Sequence, residues 1–535
     1  MKIKSDRGVI TTPHHLASAA GLRILNEGGT AIDAMLAAGA TLAVVYPHMT
    51  GIGGDAIWMI HSGDQDNQTS NEQVRCIMGI GQSGQKLPSG DTIHLRGPTA
   101  VATTAGAMAS WQNAHQISTE QWKSQLDWPE LLADAIHWAE QGVPISKSQA
   151  FWQKQRAKLI ADLPDLTLLA THADSNAFLQ AGEILKQPRL AATLRTLASN
   201  GVMDFYQGGI AQALAEGFAN IECGLTLTDL MATRAPIVKP LSIRYRDGHF
   251  YNFPPPTQGL YTLQAMLALQ SFSIAEMENG SADYFHALVE SIKPALQRRN
   301  RELHDPLPEG WDFESSLTTD AGRQYAAAIN PKQATDWVDP GRPADTVWLS
   351  ATDAEGRTAC LMQSLFHDFG SGCMIGDTGV LWQNRAASFQ QNPAHPNHWA
   401  PGKRPAHTLN PSCYLADDGQ RYFFGTQGGD GQPQTQLVIA TQLIDFKQEL
   451  DQALLAPRFL QGRSFFDSTD NLKLEENIAF DVRTELTNRG HQVETIPALS
   501  PFTGQAGVIS ISPKGKRCAM HDPRGEGNAL CQSKL

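Results

Sequence analysis

The pattern of apolar and polar positions divides the chain into a helical first part and a strand-rich second part. Between Pro13 and Glu27, apolar residues recur at helical spacing and a glycine pair follows, which predicts a helix with a left-handed stop. The apolar run at residues 31–46 predicts a second, buried helix. After a glycine-rich turn and a strand-like run, the periodicity from residue 110 to residue 300 is again mainly helical, so a helical layer is expected there.

Beyond residue 346 the pattern changes to short β-rich runs separated by polar turns. A polar stretch that follows Pro308 and ends in DPGRPADT leads into this part and predicts an exposed connector. Helical spacing returns at residues 434–446 and 482–490. Strand groups with helical segments on either side indicate a layered α/β sandwich rather than a parallel doubly wound sheet. The predicted strands are TVWLSATD, TACLMQSL, GVLWQN, SCYLAD, RYFFGTQ, VETIP and GVISIS.

Composition and charge narrow the classes of function. The 535 residues are 41% hydrophobic, which is enough for a large core, and the net charge of -12 disfavours nucleic acid or an anionic membrane as a partner. The seven cysteines have no CxxC spacing, so neither a disulfide framework nor a zinc site is indicated. The N-terminus lacks the apolar segment of a secretory signal, and no apolar run is long enough to cross a bilayer. A cytoplasmic location is expected.

Eight fragments that follow one another along the chain resemble the gamma-glutamyltranspeptidase family of N-terminal nucleophile hydrolases. The resemblance implies a four-layer αββα sandwich with a helical N-terminal portion and autocatalytic cleavage between Asp345 and Thr346. Residues 1–345 would form one subunit and residues 346–535 the other, both contributing to one composite domain, and further dimerisation is left open. The fragments are ILNEGGTAIDA, YPHMTGIGGD, FPPPTQG, ADTVWLSATDAEG, FGSG, KRPAHTLNPS, GTQGGDGQPQTQ and DPRGEG.

The chemistry implied by this resemblance depends on one residue, Thr346. A threonine hydroxyl is a poor nucleophile at neutral pH, and in this class its own α-amine is the base. That amine exists only after attack of the hydroxyl on the Asp345 carbonyl and hydrolysis of the resulting ester. An unperturbed α-amine titrates at roughly 7.7–8.0, so free base is available near neutrality. No metal or cofactor is expected.

The resemblance assigns supporting roles to four further residues. Ser364 matches a threonine that supports the nucleophile, and it keeps the hydroxyl. Gly428 and Gly429 match a glycine pair whose backbone N–H groups stabilise the tetrahedral oxyanion. Thr408 stands where the family has one of two consecutive serines near that oxyanion hole. His407 replaces the other serine and is given no catalytic role.

The chain departs from the family where an α-amino acid would be recognised. Phe366 replaces an asparagine, Arg385 a glutamine and Ser388 an acidic residue, and no arginine lies near Ile80. Acceptors for an ammonium are thus lost and a guanidinium is gained, which favours a carboxylate, because an arginine fork binds a carboxylate through two parallel hydrogen bonds. The predicted substrate-binding residues are Arg385, Phe366, Asn384 and Ser388, with Arg404 as a second candidate ligand for the anion.

Within the family this pattern is similar to the oxamate amidohydrolase branch, which is cytoplasmic and belongs to purine catabolism. The expected activity is therefore hydrolysis of a small anionic amide, oxamate, to oxalate and ammonia. Two alternatives stay open. The first is a gamma-glutamyl hydrolase or transferase, or a glutaryl or cephalosporin-type acylase; the second is an unprocessed, non-catalytic binding scaffold.

Overall fold

Two seven-stranded antiparallel sheets lie at the centre of this computed structural model, which describes residues 1–63, 73–88, 92–172, 174–175, 177–306, 311–337, 345–463 and 469–533. The first sheet has the strand order β19-β2-β10-β11-β3-β4-β7, and the second has the order β1-β18-β17-β13-β12-β9-β8. The strands are β1 Ile3–Ser5, β2 Val9–Thr12, β3 Asp55–His61, β4 Val74–Gly79, β5 Val143–Pro144, β6 Ile184–Leu185, β7 Ile237–Val238, β8 Leu241–Tyr245, β9 Gly248–Asn252, β10 Asp345–Thr352, β11 Thr358–Phe366, β12 Ser412–Ala416, β13 Arg421–Thr426, β14 Phe459–Gln461, β15 Leu472–Glu475, β16 Val493–Ile496, β17 Ala506–Ile511, β18 Arg517–His521 and β19 Asn528–Cys531.

Helices cover the outer face of each sheet. Helices α1, α2 and α3 pack on the first sheet, and α12, α13 and α15 lie on the side of the second. The helices are α1 His15–Asn26, α2 Ala31–Val45, α3 Ala107–Glu120, α4 Trp128–Gln141, α5 Lys147–Gln155, α6 Ala157–Asp162, α7 Pro164–Ala170, α8 Pro188–Asn200, α9 Asp204–Gln207, α10 Gly209–Asn220, α11 Leu227–Ala232, α12 Gly259–Leu269, α13 Ala282–Glu302, α14 Thr319–Ala327, α15 Gln432–Ala440, α16 Leu450–Leu455 and α17 Phe480–Asn488.

The apolar residues form separate cores between successive layers, which confirms the predicted αββα sandwich. Val347 and Leu349 of β10 belong to the core against the helices of the first sheet, and Trp348 belongs to the core between the sheets. This alternation is the period of two expected for a strand that is buried on both faces. None of the helices in the described ranges has the length and apolarity needed to span a membrane.

The sequence predicted the first two helices well. Helix α2 is buried on every side, as its uniformly apolar sequence indicates. It begins with a capping box, in which the Thr30 hydroxyl accepts from the Asp33 amide and the Asp33 carboxylate accepts from the Thr30 amide, at 3.2 and 2.9 Å. Two backbone groups that the helix itself cannot pair are thereby satisfied.

Two predictions about secondary structure were wrong. Strands β8 and β9 form a hairpin inside the region expected to be helical, and the alternation of apolar and polar residues in LSIRY was a signal for it. The segment GVLWQN was predicted as a strand but makes only isolated bridges, between Leu381 and Met374 and between Trp382 and Gly53. The connector expected after residue 308 is mostly exposed over residues 311–337 and contains helix α14; residues 309–310 and 338–344 lie outside the described residues.

Each sheet combines strands from both sides of the predicted cleavage bond. In the first sheet, β2 lies between β19 and β10, so a strand from the start of the chain is paired on both edges with strands from its second part. In the second sheet, β1 pairs with β18 and β9 pairs with β12. The two predicted subunits are therefore held together by backbone ladders as well as by side-chain packing.

The indole of Trp348 in the first sheet packs directly against the second sheet. It is 2% exposed and lies against Gly425 of β13 and Gly507 of β17, where a Cβ atom on either glycine would overlap the ring. Glycine is needed at these two positions because the indole occupies the space that any side chain would fill. The contact joins the strand that carries Thr346 to the strand that leads to Gly428.

We expect Trp348→Ala to lower the free energy of unfolding by about 3–5 kcal/mol, because it leaves a cavity between two sheets that cannot collapse. The change is measured as the urea midpoint of variants in the same processing state. Trp138→Ala, which truncates a partly exposed indole on α4, is the control and should have a smaller effect. Equal losses in the two variants would contradict a special role for the contact between the sheets.

Candidate active site

The predicted nucleophile lies where the ladder between β10 and β11 is irregular. Asp345 is opposite Phe366, but Val347 is opposite Gln363, so the register shifts at Thr346. Ser364 therefore lies across from Thr346 on the neighbouring strand. Thr346 is fully buried in the uncut chain. Irregular ladders occur next to active sites because they redirect a side chain at that point.

Phe366 ends β11 in a strained backbone conformation. Its φ of 82° lies in the left-handed region, which is unusual for a bulky side chain and costs roughly 1–3 kcal/mol. The Ser364 hydroxyl accepts a hydrogen bond from the Phe366 amide at 2.8 Å and so holds this turn. Ser364 thus has a defined contact at the predicted site, and the strained residue is the one opposite Asp345.

A cavity of about 250 Å³ opens beside this turn and brings three of the predicted site residues together. These are Phe366, Ser388 and Thr408, and His407 joins them. Thr346, Asn384, Arg385, Gly428 and Gly429 are not among the described residues that line it. The remaining lining residues are Arg299, Asn300, Leu303, Gln390, Asn397, Ala406 and Asp430.

Arg385 lies directly behind two of the residues that line this cavity. Its guanidinium carbon is 4.1 Å from the centre of the Phe366 ring, and its Nη1 donates to the Thr408 hydroxyl at 3.1 Å. The side chain is fully buried, and its Nε and Nη2 have no hydrogen-bond partner within the part of the chain that the structure describes. Burial lowers the pKa of Arg385 to about 9, against the opposing effect of the Asp55 carboxylate.

Asp55 is the functional residue that the sequence interpretation missed. Its Oδ1 accepts from the Gly81 amide at 2.8 Å, the Gly106 amide at 3.0 Å and the Gln383 side-chain amide at 3.1 Å. Its Oδ2 is 3.1 Å from His407 Nε2 and 4.0 Å from Arg385 Nε. The residue ends the quoted YPHMTGIGGD fragment, and a carboxylate that leads into an apolar strand was the signal that could have identified it.

His407 is a neutral donor to Asp55. Burial is the main cause that lowers the pKa of His407 to about 4, and the nearby Arg385 acts in the same direction. The Leu409 amide donates to Nδ1 at 3.3 Å, so Nδ1 is the acceptor and the proton of the neutral ring is assigned to Nε2. The imidazole therefore donates from Nε2 to the Asp55 carboxylate.

The predicted oxyanion glycines form a turn before helix α15. Gly428 and Gly429 have φ values of 117° and 51°, which explains why both positions are glycine. The side-chain amide of Gln258 donates to the carbonyls of Gly429 and Thr408, at 3.0 and 2.6 Å, and thereby ties this turn to the cavity. Arg299 Nη1 donates to Gln258 Oε1 at 2.7 Å and to Asp430 Oδ1 at 2.8 Å, so the orientation of the Gln258 side-chain amide is fixed by an arginine that is itself paired.

Three other predicted ligands, Asn384, Arg404 and Ser388, are occupied by contacts within the protein. The Asn384 side chain accepts from the His367 amide at 3.1 Å and donates to the Leu95 carbonyl at 2.8 Å, so both ends of its amide hold the backbone. Arg404 uses Nε and Nη2 to bind the Asp305 carboxylate at 3.2 and 2.7 Å, so the fork proposed for an anion is already filled. The Ser388 hydroxyl contacts the Arg385 and Ala406 carbonyls at 2.9 and 3.1 Å.

Comparison with known proteins identifies the family of the chain. The family model for gamma-glutamyltranspeptidase matches residues 17–531. The chain belongs to the gamma-glutamyltranspeptidase family. It is 38% identical to the oxamate amidohydrolase proenzyme of Klebsiella pneumoniae and 33% identical to the glutathione hydrolase-like YwrD proenzyme of Bacillus subtilis, with 98% of each chain covered in both cases.

Membership of the gamma-glutamyltranspeptidase family makes the chain a hydrolase of the N-terminal nucleophile type that is produced as an autoprocessed proenzyme. A solved structure with the same fold is the cephalosporin acylase from Bacillus halodurans, with a TM-score of 0.88, 27% identity, and coverage of 100% of this chain and 97% of the acylase. Relatives with different substrates therefore share the fold. Substrate specificity therefore depends on the residues around the cavity rather than on the fold.

We expect Phe366→Asn to shift specificity towards longer acyl groups. Asparagine tolerates the left-handed backbone and is smaller, so the cavity widens towards Arg385 without loss of the turn. The ratio of kcat/KM for a glutaryl amide to kcat/KM for oxamate should rise at least about tenfold. Phe369→Asn is the matched control, since Phe369 is also buried with a φ of 59° but does not line the cavity. A similar rise in both variants would show that the cavity wall is not the cause.

Proposed function

We propose that this enzyme hydrolyses a small amide that carries a carboxylate, with oxamate as the substrate and oxalate and ammonia as the products. The observation that carries the proposal is the guanidinium of Arg385, which is buried directly behind the cavity residues Phe366 and Thr408 and keeps two donors without a partner among the described residues. Nε and Nη2 are the two donors that bind a carboxylate side-on, and in the described residues neither has a partner. The 38% identity to an oxamate amidohydrolase proenzyme supports the same substrate.

Processing comes first in the proposed mechanism. The Thr346 hydroxyl attacks the Asp345 carbonyl, the peptide nitrogen leaves as the new α-amine, and water hydrolyses the ester. The fragments are residues 1–345 and 346–535. The complete burial of Thr346 in the uncut chain supports this order, because neither the amine nor a route for substrate to the hydroxyl exists before the cut.

Turnover then uses the groups that processing has released. The Thr346 amine accepts the hydroxyl proton while Oγ attacks the amide carbonyl of oxamate, and the Gly428 and Gly429 N–H groups stabilise the oxyanion. Ammonia leaves with the proton held by the amine, and an oxalyl ester remains on Thr346. Water, deprotonated by the same amine, hydrolyses the ester to oxalate. Arg385 holds the substrate carboxylate throughout.

An acylase acting on a longer acyl group is the second candidate, because the fold resembles that of a cephalosporin acylase over the full chain. The cavity of about 250 Å³, narrowed by Phe366, favours a small acyl group instead. A gamma-glutamyl group is disfavoured because its α-amine would lie near the Arg385 guanidinium. The position where the family has an acidic residue is Ser388, and the Asp430 carboxylate at the cavity already pairs with Arg299 at 2.8 Å. The seven free thiols support the proposed cytoplasmic location.

We expect Thr346→Ala to remain a single chain of 58.2 kDa and to lack amidase activity, because one hydroxyl serves both reactions. The wild type should give two fragments on a denaturing gel, and the smaller fragment should begin Thr-Val-Trp-Leu on N-terminal sequencing. Thr346→Ser keeps a hydroxyl and is the control, which should still be cleaved. Cleavage of the alanine variant, or a different N-terminus in the wild type, would exclude Thr346 as the nucleophile.

We expect Arg385→Gln to lower kcat/KM for oxamate by about ten- to a hundredfold, since charge-assisted hydrogen bonds contribute roughly 1.5–3 kcal/mol. Ammonia release is the measurement, and oxamide, which lacks the carboxylate, is the control substrate and should be affected much less. Arg404→Gln is the control variant, because Asp305 already fills its fork. Rapid release of a chromogenic anilide from a gamma-glutamyl substrate, with no ammonia from oxamate, would refute the carboxylate pocket.

A further inference from the structure

The buried pair formed by Asp55 and Arg385 is unusual because it is not closed. Opposite charges that are buried together normally make direct hydrogen bonds, since an unpaired buried donor is costly. Here Arg385 Nε is 4.0 Å from Asp55 Oδ2, which is too long for a hydrogen bond. Both side chains are fully buried, so solvent exposure does not explain the gap.

The distance between Asp55 and Arg385 stays long because both oxygens of the Asp55 carboxylate are held by hydrogen bonds. Three donors fix Asp55 Oδ1, and they come from the segments after β4, before α3 and after residue 382. His407 is the one hydrogen-bond donor to Oδ2 among the described residues. To reach Arg385, Oδ2 would have to turn away from His407, and the imidazole would then lose its acceptor.

His407 is held in place and cannot move with Asp55 Oδ2 towards Arg385. The Leu409 amide donates to its Nδ1, its own amide donates to the Pro256 carbonyl at 2.8 Å, and its carbonyl accepts from the Gln258 amide at 2.9 Å. The ring and the backbone of His407 are thus fixed to a segment that also holds the glycine turn. The position of Oδ2 is set from outside the ion pair.

The guanidinium of Arg385 is also held in place by its neighbours. Phe366 covers one of its faces and Thr408 accepts from Nη1, so Nε and Nη2 are the donors that have no hydrogen-bond partner among the described residues. Asp55 is close enough to compensate the charge of this buried cation without occupying its donors. An arginine in this state retains the capacity to bind a second carboxylate.

We propose that His407 is a positioning residue that keeps Asp55 from closing on Arg385 and thereby keeps the arginine fork available for the carboxylate of the substrate. This rests on the proposed function, in which Arg385 binds that carboxylate. His407 acts through Asp55 and takes no part in the chemistry at Thr346. Its effect is therefore expected in the affinity for an anionic amide and in neither processing nor the turnover of bound substrate.

The test compares two substitutions of similar size. His407→Gln places an amide nitrogen near the position of Nε2 and retains the donor to Asp55, whereas His407→Met fills the space without a donor. We expect the methionine variant to be processed normally, to keep kcat within about twofold, and to show a KM for oxamate raised about tenfold, which is a loss of about 1.4 kcal/mol in binding. The glutamine variant should restore the KM, and the KM for oxamide should be unchanged in both.

A crystal structure of the methionine variant provides a readout that does not depend on the substrate. The separation between Asp55 Oδ2 and Arg385 Nε should shorten from 4.0 Å to about 3 Å, the length of a charge-assisted hydrogen bond. An unchanged gap, or equal KM values for oxamate in the two variants, would overturn the role of His407. If the wild type does not hydrolyse oxamate, the proposed function fails, while the distance still tests the positioning. His407→Leu carries the same comparison should the methionine variant not fold.

Discussion

The carboxylate of Asp55 is the constraint around which the active-site region is organised. A charge buried this completely is tolerated only if it is compensated and hydrogen-bonded, and its partners come from four separate stretches of the chain, at Gly81, Gly106, Gln383 and His407. Of these partners, His407 also lines the cavity. Displacing any of them would leave a donor or the carboxylate unsatisfied, so the geometry around the cavity is maintained by the cost of breaking this arrangement.

The arginines near the cavity show how local partners decide the role of a residue. Arg404 is neutralised by two hydrogen bonds to Asp305, and Arg299 pairs with Asp430 and orients Gln258. Arg404 and Arg299 are therefore structural, because protein carboxylates already occupy their donors. Arg385 differs because its nearest carboxylate is near enough to stabilise its charge but too far to use its donors. Residue type alone could not separate these three side chains.

The elements that the sequence predicted correctly are those whose signal is local. Helices α1 and α2 and strands β10 and β11 follow from periodicity and capping, and the resemblance to the family located the residues that meet at the cavity, Phe366 and Thr408 among them. What could not be foreseen depends on contacts between distant positions. Asp55 and His407 are 352 residues apart in sequence, so nothing in the neighbourhood of either indicates their hydrogen bond. The position of strand β2 in its sheet also depends on distant residues, because its partners β10 and β19 lie in the second part of the chain.

The interleaving of strands within both sheets has a consequence for the life of the mature enzyme. Because β2 lies between strands from the other predicted subunit and β1 and β9 pair with strands of that subunit in the second sheet, the two predicted polypeptides can separate only if both sheets are taken apart. Mature molecules that differ in a single substitution should therefore not trade subunits, even when they are mixed for long periods. Each large fragment should therefore remain paired with the small fragment that came from the same precursor chain.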